Sequence, residues 1–437
     1  MAGSPARLLS GGHERALPMT LTSLITGTPD AVIDPPHGVI GCSWCGLVQR
    51  LPEQSGRGVI HCRRCDAGLE RTSGRSIDAA LACSITMMVL LIPAIVLPLM
   101  QVSILGAINQ STVGDGVAGI WSQGWPLMAI VIGAELIAVP ILRFGLLTAV
   151  LLMLRLGRRA HWLGPAFRIT ERLDEWATLD VFLIGCVIGY SRVEPFLPVH
   201  IGPGGWCVLA AAFMTMITRA TLERRAIWRM IGPDASEMDG PSVACGACDH
   251  IAPLADEGGH CPRCNAHLWR QRPYATMRAF AFTLAGFIFY PIAYLFPMEV
   301  DIEAGKAHSH SIITGIMQLL QAHLWPLALV IFIASVGIPL FKLFGISWLI
   351  LSSYQHSTSR LRLKGKLYRI IVGAGRWSHI DVYTVAVFLP LMRLPGLLSV
   401  QVADGMPAFL GVVVLTMMAA RVLDPRHIWI AAHEGHK

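Results

Sequence analysis

Charge is scarce in this sequence. Only 14% of its 437 residues are Asp, Glu, Lys or Arg and 54% are hydrophobic, against roughly 25% charged residues in an ordinary soluble domain. That balance excludes a freestanding water-soluble globule and points to a membrane protein. A Gly-x-x-x-x-Gly-Lys-Ser/Thr run is missing, which excludes a P-loop ATPase, and no enzymatic activity is expected. The N-terminus lacks the compact basic, apolar and small-residue cleavage pattern of a secretory signal, so the first apolar run is expected to direct insertion. Basic residues are absent from the segments 106–124, 193–204 and 395–405, and 299–322 has only Lys306.

What is present is apolar and segmented. Eight runs read as spanning helices: 78–105, 125–154, 177–193, 205–220, 276–298, 323–352, 380–394 and 406–422. The net charge of +7 is concentrated between them. Residues 155–172 hold five Arg, and residues 360–376 hold six Lys or Arg. Because cytoplasmic loops carry the excess of Lys and Arg, these loops and both termini are expected in the cytoplasm. A nucleic-acid surface is not expected, since the basic residues punctuate apolar spans instead of clustering in one folded domain.

Two stretches depart from this lipid-facing character. "CSWCGLVQRLPEQSGRGVIHCRRC" places Cys42 and Cys45 before Cys62 and Cys65, and "CGACDHIAPLADEGGHCPRC" repeats the arrangement with Cys245, Cys248, Cys261 and Cys264. In a reducing compartment four thiolates hold Zn²⁺ in a closed tetrahedral site, so two structural zinc ions are expected, one per module, with zinc preferred to iron. Gly46, directly after Cys45, offers the open backbone that such a knuckle needs. A dithiol redox pair is the alternative chemistry. Cys83, Cys186 and Cys207 fall in apolar runs and read as small core residues.

The chain is also written twice, at an interval of about 200 residues. "GWPLMAIVIGAELIAVPILRF" from Gly124 aligns with "LWPLALVIFIASVGIPLFKLF" from Leu324, and "TMITRATLERRAIW" from Thr215 aligns with "TMMAARVLDPRHIW" from Thr416. Trp176, Asp180 and Arg192 correspond to Trp377, Asp381 and Arg393. The expected fold class is an all-α polytopic membrane protein of two parallel repeats of four transmembrane helices, each preceded by a small zinc ribbon. The expected boundaries are a tail over 1–40, a ribbon over 41–75, spans over 76–222, a second ribbon over 240–272, spans over 273–424 and a tail over 425–437.

The order of ribbon, four spans, ribbon and four spans, with "CPRCNAHL" closing the second ribbon, resembles the paraquat-inducible protein A family, and the lipophilic envelope-spanning tunnel A branch is similar in plan. The first ribbon departs from the second in reading "CRRC" without Cys-Pro. The resemblance implies an inner-membrane protein of Gram-negative bacteria. It also implies a periplasmic MCE-domain partner whose stacked hexameric rings form a hydrophobic tunnel, and a task of moving phospholipids between that tunnel and the inner membrane. Two further readings stay open: a scaffold that anchors the tunnel without transporting, and a membrane dithiol oxidoreductase.

Charged residues inside apolar runs are costly and mark pathways or internal pairs. Arg143 and Lys342 follow Pro140 and Pro339 by three residues, and Asp180 and Asp381 begin the third span of each half. If the second and third spans are neighbours, the expected pairs are Arg143 with Asp180 and Lys342 with Asp381. The alternative is that the aspartates cap helix starts while the basic chains snorkel. Arg192 and Arg393 lie toward the periplasmic side, where an arginine fork suits a lipid phosphate or snorkels into headgroups. Glu135, which has no counterpart in the second half, where Ala334-Ser335 stand, is either a proton-exchanging carboxyl in a cavity or a locally bonded structural one. Pro93, Pro98, Pro291 and Pro297 are expected to kink the first and fifth spans. With the second and sixth, those spans are the expected lining of a lipid path. The outer loops are short and Gly-rich, that at 106–124 with no charge but Asp115, and are expected to form no domain of their own.

Overall fold

The computed structural model describes residues 39–50, 59–71, 77–104, 107–194, 198–232, 240–303, 306–321, 323–392 and 398–434. The first Cys stretch forms two short hairpins, β1 (Val39–Gly41) with β2 (Val48–Arg50) and β3 (Val59–His61) with β4 (Gly68–Arg71). The first half then runs α1 (Ile77–Val96), β5 (Met100–Ile104), β6 (Ala107–Ser111), α2 (Val113–Ser122), α3 (Pro126–Gly133), α4 (Val139–Arg155), α5 (Leu163–Leu173), α6 (Leu179–Val193), β7 (Val199–Ile201), α7 (Pro203–Thr221) and α8 (Arg224–Ile231). The second Cys stretch is the hairpin β8 (Ser242–Ala244) with β9 (Ile251–Pro253), followed by a His260–His267 bridge.

The second half repeats this order element for element. It comprises α9 (Ala275–Leu295), β10 (Glu299–Glu303), β11 (Lys306–His310), α10 (Ile312–Gln321), α11 (Trp325–Ile331), α12 (Ile338–Tyr354), α13 (Leu361–Ala374), α14 (Ile380–Leu391), β12 (Leu398–Val402), α15 (Gly405–Val422) and α16 (Pro425–Glu434). Helices α3 and α4 join through a π-helical turn at Ala134–Ala138, and α11 and α12 through one at Phe332–Gly337. Each join thus falls just before the helix proline, Pro140 or Pro339, which cannot donate a hydrogen bond.

Five helical stretches among the described residues are long and apolar enough to cross a membrane: Ile77–Val96, Pro126–Arg155, Ala275–Leu295, Trp325–Tyr354 and Gly405–Val422. A sixth arises if Pro203–Thr221 and Arg224–Ile231, bent by 63°, count as one span. Helices α6 and α14 are shorter than a straight crossing needs and occupy the centre. They pack against each other, where a Cβ added to Gly185 would lie 3.0 Å from the Cβ of Tyr383. Within each half, α1 packs on α4 and α7, and α9 packs on α12 and α15. Outward-facing Val89, Ile92, Phe280, Ile288 and Leu295 remain exposed, as lipid-facing side chains do.

The helices end earlier than the apolar runs. Pro93 and Pro291 lie inside α1 and α9, but Pro98 and Pro297 lie past their ends, where the chain turns into strands. The segments that follow these helices accordingly form two three-stranded antiparallel sheets, β6-β5-β7 and β11-β10-β12, where loops with no domain of their own were expected. Alternating Val102 and Ile104, and Val400 and Val402, supply the β-branched residues that favour a half-buried strand.

Candidate metal sites and a buried charge cluster

All four Cys-x-x-Cys turns are built alike. The amide of the residue after the second cysteine returns to the carbonyl of the first: Gly46 to Cys42 at 2.8 Å, Asp66 to Cys62 at 2.9 Å, Asp249 to Cys245 at 3.2 Å and Asn265 to Cys261 at 2.8 Å. That closure requires left-handed backbone, with φ of 72°, 58°, 60° and 56° at these positions. Gly, Asp and Asn are the residues that tolerate it. The turns bring four buried sulfurs together in each module, with Cys42–Cys65, Cys45–Cys62, Cys245–Cys264 and Cys248–Cys261 each at 3.6 Å. A tetrahedron with metal–sulfur legs of about 2.3 Å has edges of about 3.8 Å, so both donor sets fit one tetrahedral ion apiece. Shared sulfur hydrogen bonds push the Cys42 thiol up, through Cys45 first, and draw the Cys62 thiol down, through Cys42 first.

Each module docks on the helices of the other half. Trp44 of the first module meets Tyr368 of α13 edge-on at 5.8 Å, Arg64 lies over Trp429 of α16, and Arg369 donates to the Cys65 carbonyl at 3.3 Å. The second module meets the first half: a Cβ on Gly164 of α5 would strike the Arg263 carbonyl at 1.9 Å, and Arg224 of α8 donates to the Ala247 carbonyl. Arg426 lies where the two modules meet. Buried beside Asp424, it donates through Nη2 at 2.9 Å to that carboxylate and through Nη1 at 3.1 Å to the Ala244 carbonyl, and Gly46 lies against its stem. Arg426 and its neighbours hold the Asp424 carboxyl below the usual range despite its burial, which alone would raise it.

The middle of the Pro126–Arg155 span, the turn between α5 and α6, the start of α6 and the end of α7 enclose a charge cluster. Arg143 of α4, 3% exposed, pairs with Asp174, whose Oδ1 also accepts from Arg219 Nε of α7 at 3.0 Å. Arg219 Nη1 donates to Asp180 Oδ2 at 2.7 Å, and Arg376 Nη1 lies 3.8 Å from that oxygen. Burial alone would raise the Asp174 carboxyl, but Arg143 and Arg219 overcome it and hold the group low. Arg143 and Asp180 therefore share one network, yet the expected direct pair is replaced by Arg143–Asp174 and Arg219–Asp180. Asp180 faces α7, and the loop residue Asp174 takes the α4 guanidinium.

In the second half the expected Lys342–Asp381 pair is not formed. Lys342 is fully buried, and its Nζ has no hydrogen-bond partner among the described residues. It lines a cavity with Arg376 and Arg421, whereas Asp381 lines a separate small one with Glu299, His310 and Thr384. The alignment shows what changed around the cation: Gly375 stands at the position of Asp174, so the carboxylate that pairs with Arg143 has no counterpart beside Lys342, and Ala420 stands at that of Arg219, the guanidinium that pairs with Asp180.

Glu135, carried on the first π turn, is buried at the junction of the halves. Tyr383 of α14 donates to its Oε2 at 2.9 Å, His379 Nε2 lies 3.2 Å from Oε1, and Thr178 bonds the Tyr383 hydroxyl. Arg192 ends α6, but its side chain, like all of Arg393, lies outside the described residues. Asp174, Arg219, Arg376, His379 and Tyr383 were missed in the sequence because their roles need contacts across helices. The sequence signal that stood for the first two was a charge present in one half and absent in the other.

The profile of the paraquat-inducible protein A family matches residues 77–232 and again 276–433, the two halves just described. The chain belongs to the paraquat-inducible protein A family. Among relatives, it is 26% identical over 397 residues to the lipophilic envelope-spanning tunnel protein A of Escherichia coli (strain K12), covering 90% of this chain and 92% of that protein. It is also 26% identical over 402 residues to the intermembrane transport protein PqiA of the same organism, covering 89% and 94%. A probable intermembrane transport protein of Haemophilus influenzae is 22% identical over 418 residues, covering 90% and 96%. No solved structure matches the chain.

Proposed function

We propose that this protein is the inner-membrane component of a lipid-transport system, passing phospholipids between the inner membrane and a hexameric periplasmic tunnel of an MCE-domain partner. The observation that carries the reading is an internal charge network, Arg143, Asp174, Asp180 and Arg219, set among membrane-length apolar helices in a chain similar along nine-tenths of its length to intermembrane transport proteins. In this reading the protein crosses the membrane eight times, with α6 and α14 completing four spans per parallel repeat. The basic loops, both termini and both modules face the cytoplasm, and the two sheets face the periplasm and the partner.

Cys42, Cys45, Cys62 and Cys65, and Cys245, Cys248, Cys261 and Cys264, would each hold a structural zinc ion as a zinc ribbon. The ion supplies fold stability alone, since four protein thiolates leave no open position for a substrate. Arg143, Asp180, Lys342, Asp381, Glu135, Arg192 and Arg393 are the proposed residues of the transport path, which has no chemistry of its own to perform on the lipid. The test is lipid analysis of the purified protein together with its co-purifying partners. Phospholipid and an MCE-domain protein recovered together are the expected result. A partner recovered with no lipid retained above an unrelated membrane protein would instead leave a scaffold.

A further inference from the structure

The two halves differ most where their charges were expected to match. Around Arg143 the first half places Asp174 and Arg219; around Lys342 the second half places Gly375 and Ala420, and a cavity of about 120 Å³ remains there. With roughly 30 Å³ per liquid water, that volume suits one tetrahedral oxyanion. Its wall has unequal charge commitments. Asp174 is engaged by Arg143 and Arg219, and Glu175 accepts from Arg421 Nε at 2.5 Å. Lys342 Nζ and Arg376 Nε are buried donors with no hydrogen-bond partner among the described residues. An ammonium taken out of water without a counter-charge is expensive to keep, and an anion brought to it removes that cost.

We propose that this cavity binds a single phosphate-class oxyanion, held by Lys342 Nζ and by the guanidinium groups of Arg376 and Arg421, all of which line it. Arg376 supplies a planar fork that matches phosphate oxygens, Arg421, whose Nε and Nη2 are taken by Glu175 and the Arg172 carbonyl, offers Nη1, and Lys342 supplies the point charge. The site joins the halves, because Asp174 and Glu175 belong to the first and Lys342, Arg376 and Arg421 to the second. The phosphate belongs to a lipid headgroup or to a free ion. Only the first source rests on the lipid-transport reading.

The experiment uses full-length, delipidated protein in maltoside detergent, with unfolding followed by the fluorescence of its 12 tryptophans. The probes are dihexanoylphosphatidylglycerol, inorganic phosphate at matched ionic strength, and dioctanoylglycerol, which has no phosphate. The expected result is a saturable rise in Tm with a phosphate-bearing probe and none with dioctanoylglycerol. Lys342→Met should weaken the apparent affinity about tenfold or more, the loss of one charge-assisted contact, while Lys366→Met on the exposed face of α13 should respond like wild type.

Gly375→Asp is the decisive variant, because it restores beside Lys342 the carboxylate that Asp174 gives Arg143. A Cβ there meets only Met417 Cγ at 3.7 Å, ordinary contact. It should raise Tm without ligand and abolish the response, and it keeps the test sound should Lys342→Met fail to fold. A response to the lipid alone identifies a headgroup, and an equal response to inorganic phosphate identifies a free ion. The proposal is overturned if no phosphate species shifts Tm, or if Gly375→Asp responds as wild type does. A response to inorganic phosphate with no lipid in the purified protein would keep this site and sink the transport reading.

Discussion

Replacing Asp174 by Asn tests whether the cluster is held by charge. Asp174 accepts from two guanidinium groups, and one of them, on Arg143, is 3% exposed and has no other ion pair among the described residues. Stranding a fully buried charge costs about 3 to 5 kcal/mol. The Asp174 side chain is 36% exposed and the new amide oxygen still accepts a hydrogen bond, so solvent screening reduces the expected loss to about 2 to 3 kcal/mol. Adding Arg143→Met removes the stranded charge, so the double variant should recover about 1 to 2 kcal/mol relative to additivity. The free energies would come from SDS titration of the full chain in mixed micelles. The pH dependence gives an independent check. Because the Asp174 carboxyl is held below its ordinary value, its contribution is present above the unfolded pKa of about 3.9 and is lost as pH falls through the folded value. The gap between wild type and Asp174→Asn should therefore close on acidification below about pH 4. A loss under about 0.5 kcal/mol at pH 7, or strict additivity of the two changes, would refute the pairing.

Three more outcomes are expected. Elemental analysis of purified protein should find two zinc ions per chain and Cys264→Ser should retain one, because apparent binding energies of about 10 to 16 kcal/mol make such an ion part of folding; less than one ion in wild type would defeat the assignment. Asp424→Asn should make the Cys modules more sensitive to limited proteolysis by leaving Arg426, 4% exposed, without its counter-charge, at a cost on the order of 3 kcal/mol; an unchanged digestion pattern and melting curve would show that other contacts hold the modules. Gly185→Leu should destabilise the contact of α6 with α14 by at least about 2 kcal/mol, because the added side chain begins 3.0 Å from Tyr383 Cβ and 3.2 Å from the Thr384 amide; a wild-type unfolding curve would mean that the two helices separate at little cost.

What was legible in the sequence was periodic or local. The membrane class, the cysteine pairs and the 200-residue duplication are carried by single segments and by spacing. The sheets were less legible, since an apolar run that ends in Pro98-Leu99-Met100-Gln101-Val102 looks the same whether it stays helical or turns into a strand. The knuckle geometry was half legible. Gly46 was identified, but Asp66, Asp249 and Asn265 fill the same left-handed place with less obvious residues. Partners across the bundle were hidden, because helix packing decides whether Asp180 meets Arg143 or Arg219, and spacing along the chain does not encode it. The docking of the modules was hidden for the same reason: each precedes one half in the chain but packs on the other.

The hidden part is also where the two halves have parted. A duplicated membrane protein needs matched helices and close-packed contacts in both copies to keep one architecture, and here these persist: a π turn before each helix proline, and a sheet closing each half. Buried charge is under a different constraint, because each buried ion must be matched or must do something that repays its desolvation. In the first half Arg143 is matched by Asp174. In the second, the carboxylate and the second arginine are both gone while the lysine stays fully buried. Loss of all three groups would have been the neutral outcome for stability. Under the oxyanion proposal, a buried lysine beside an open cavity leaves the second half with a basic group to offer an anion, while the charges of the first half are committed to one another.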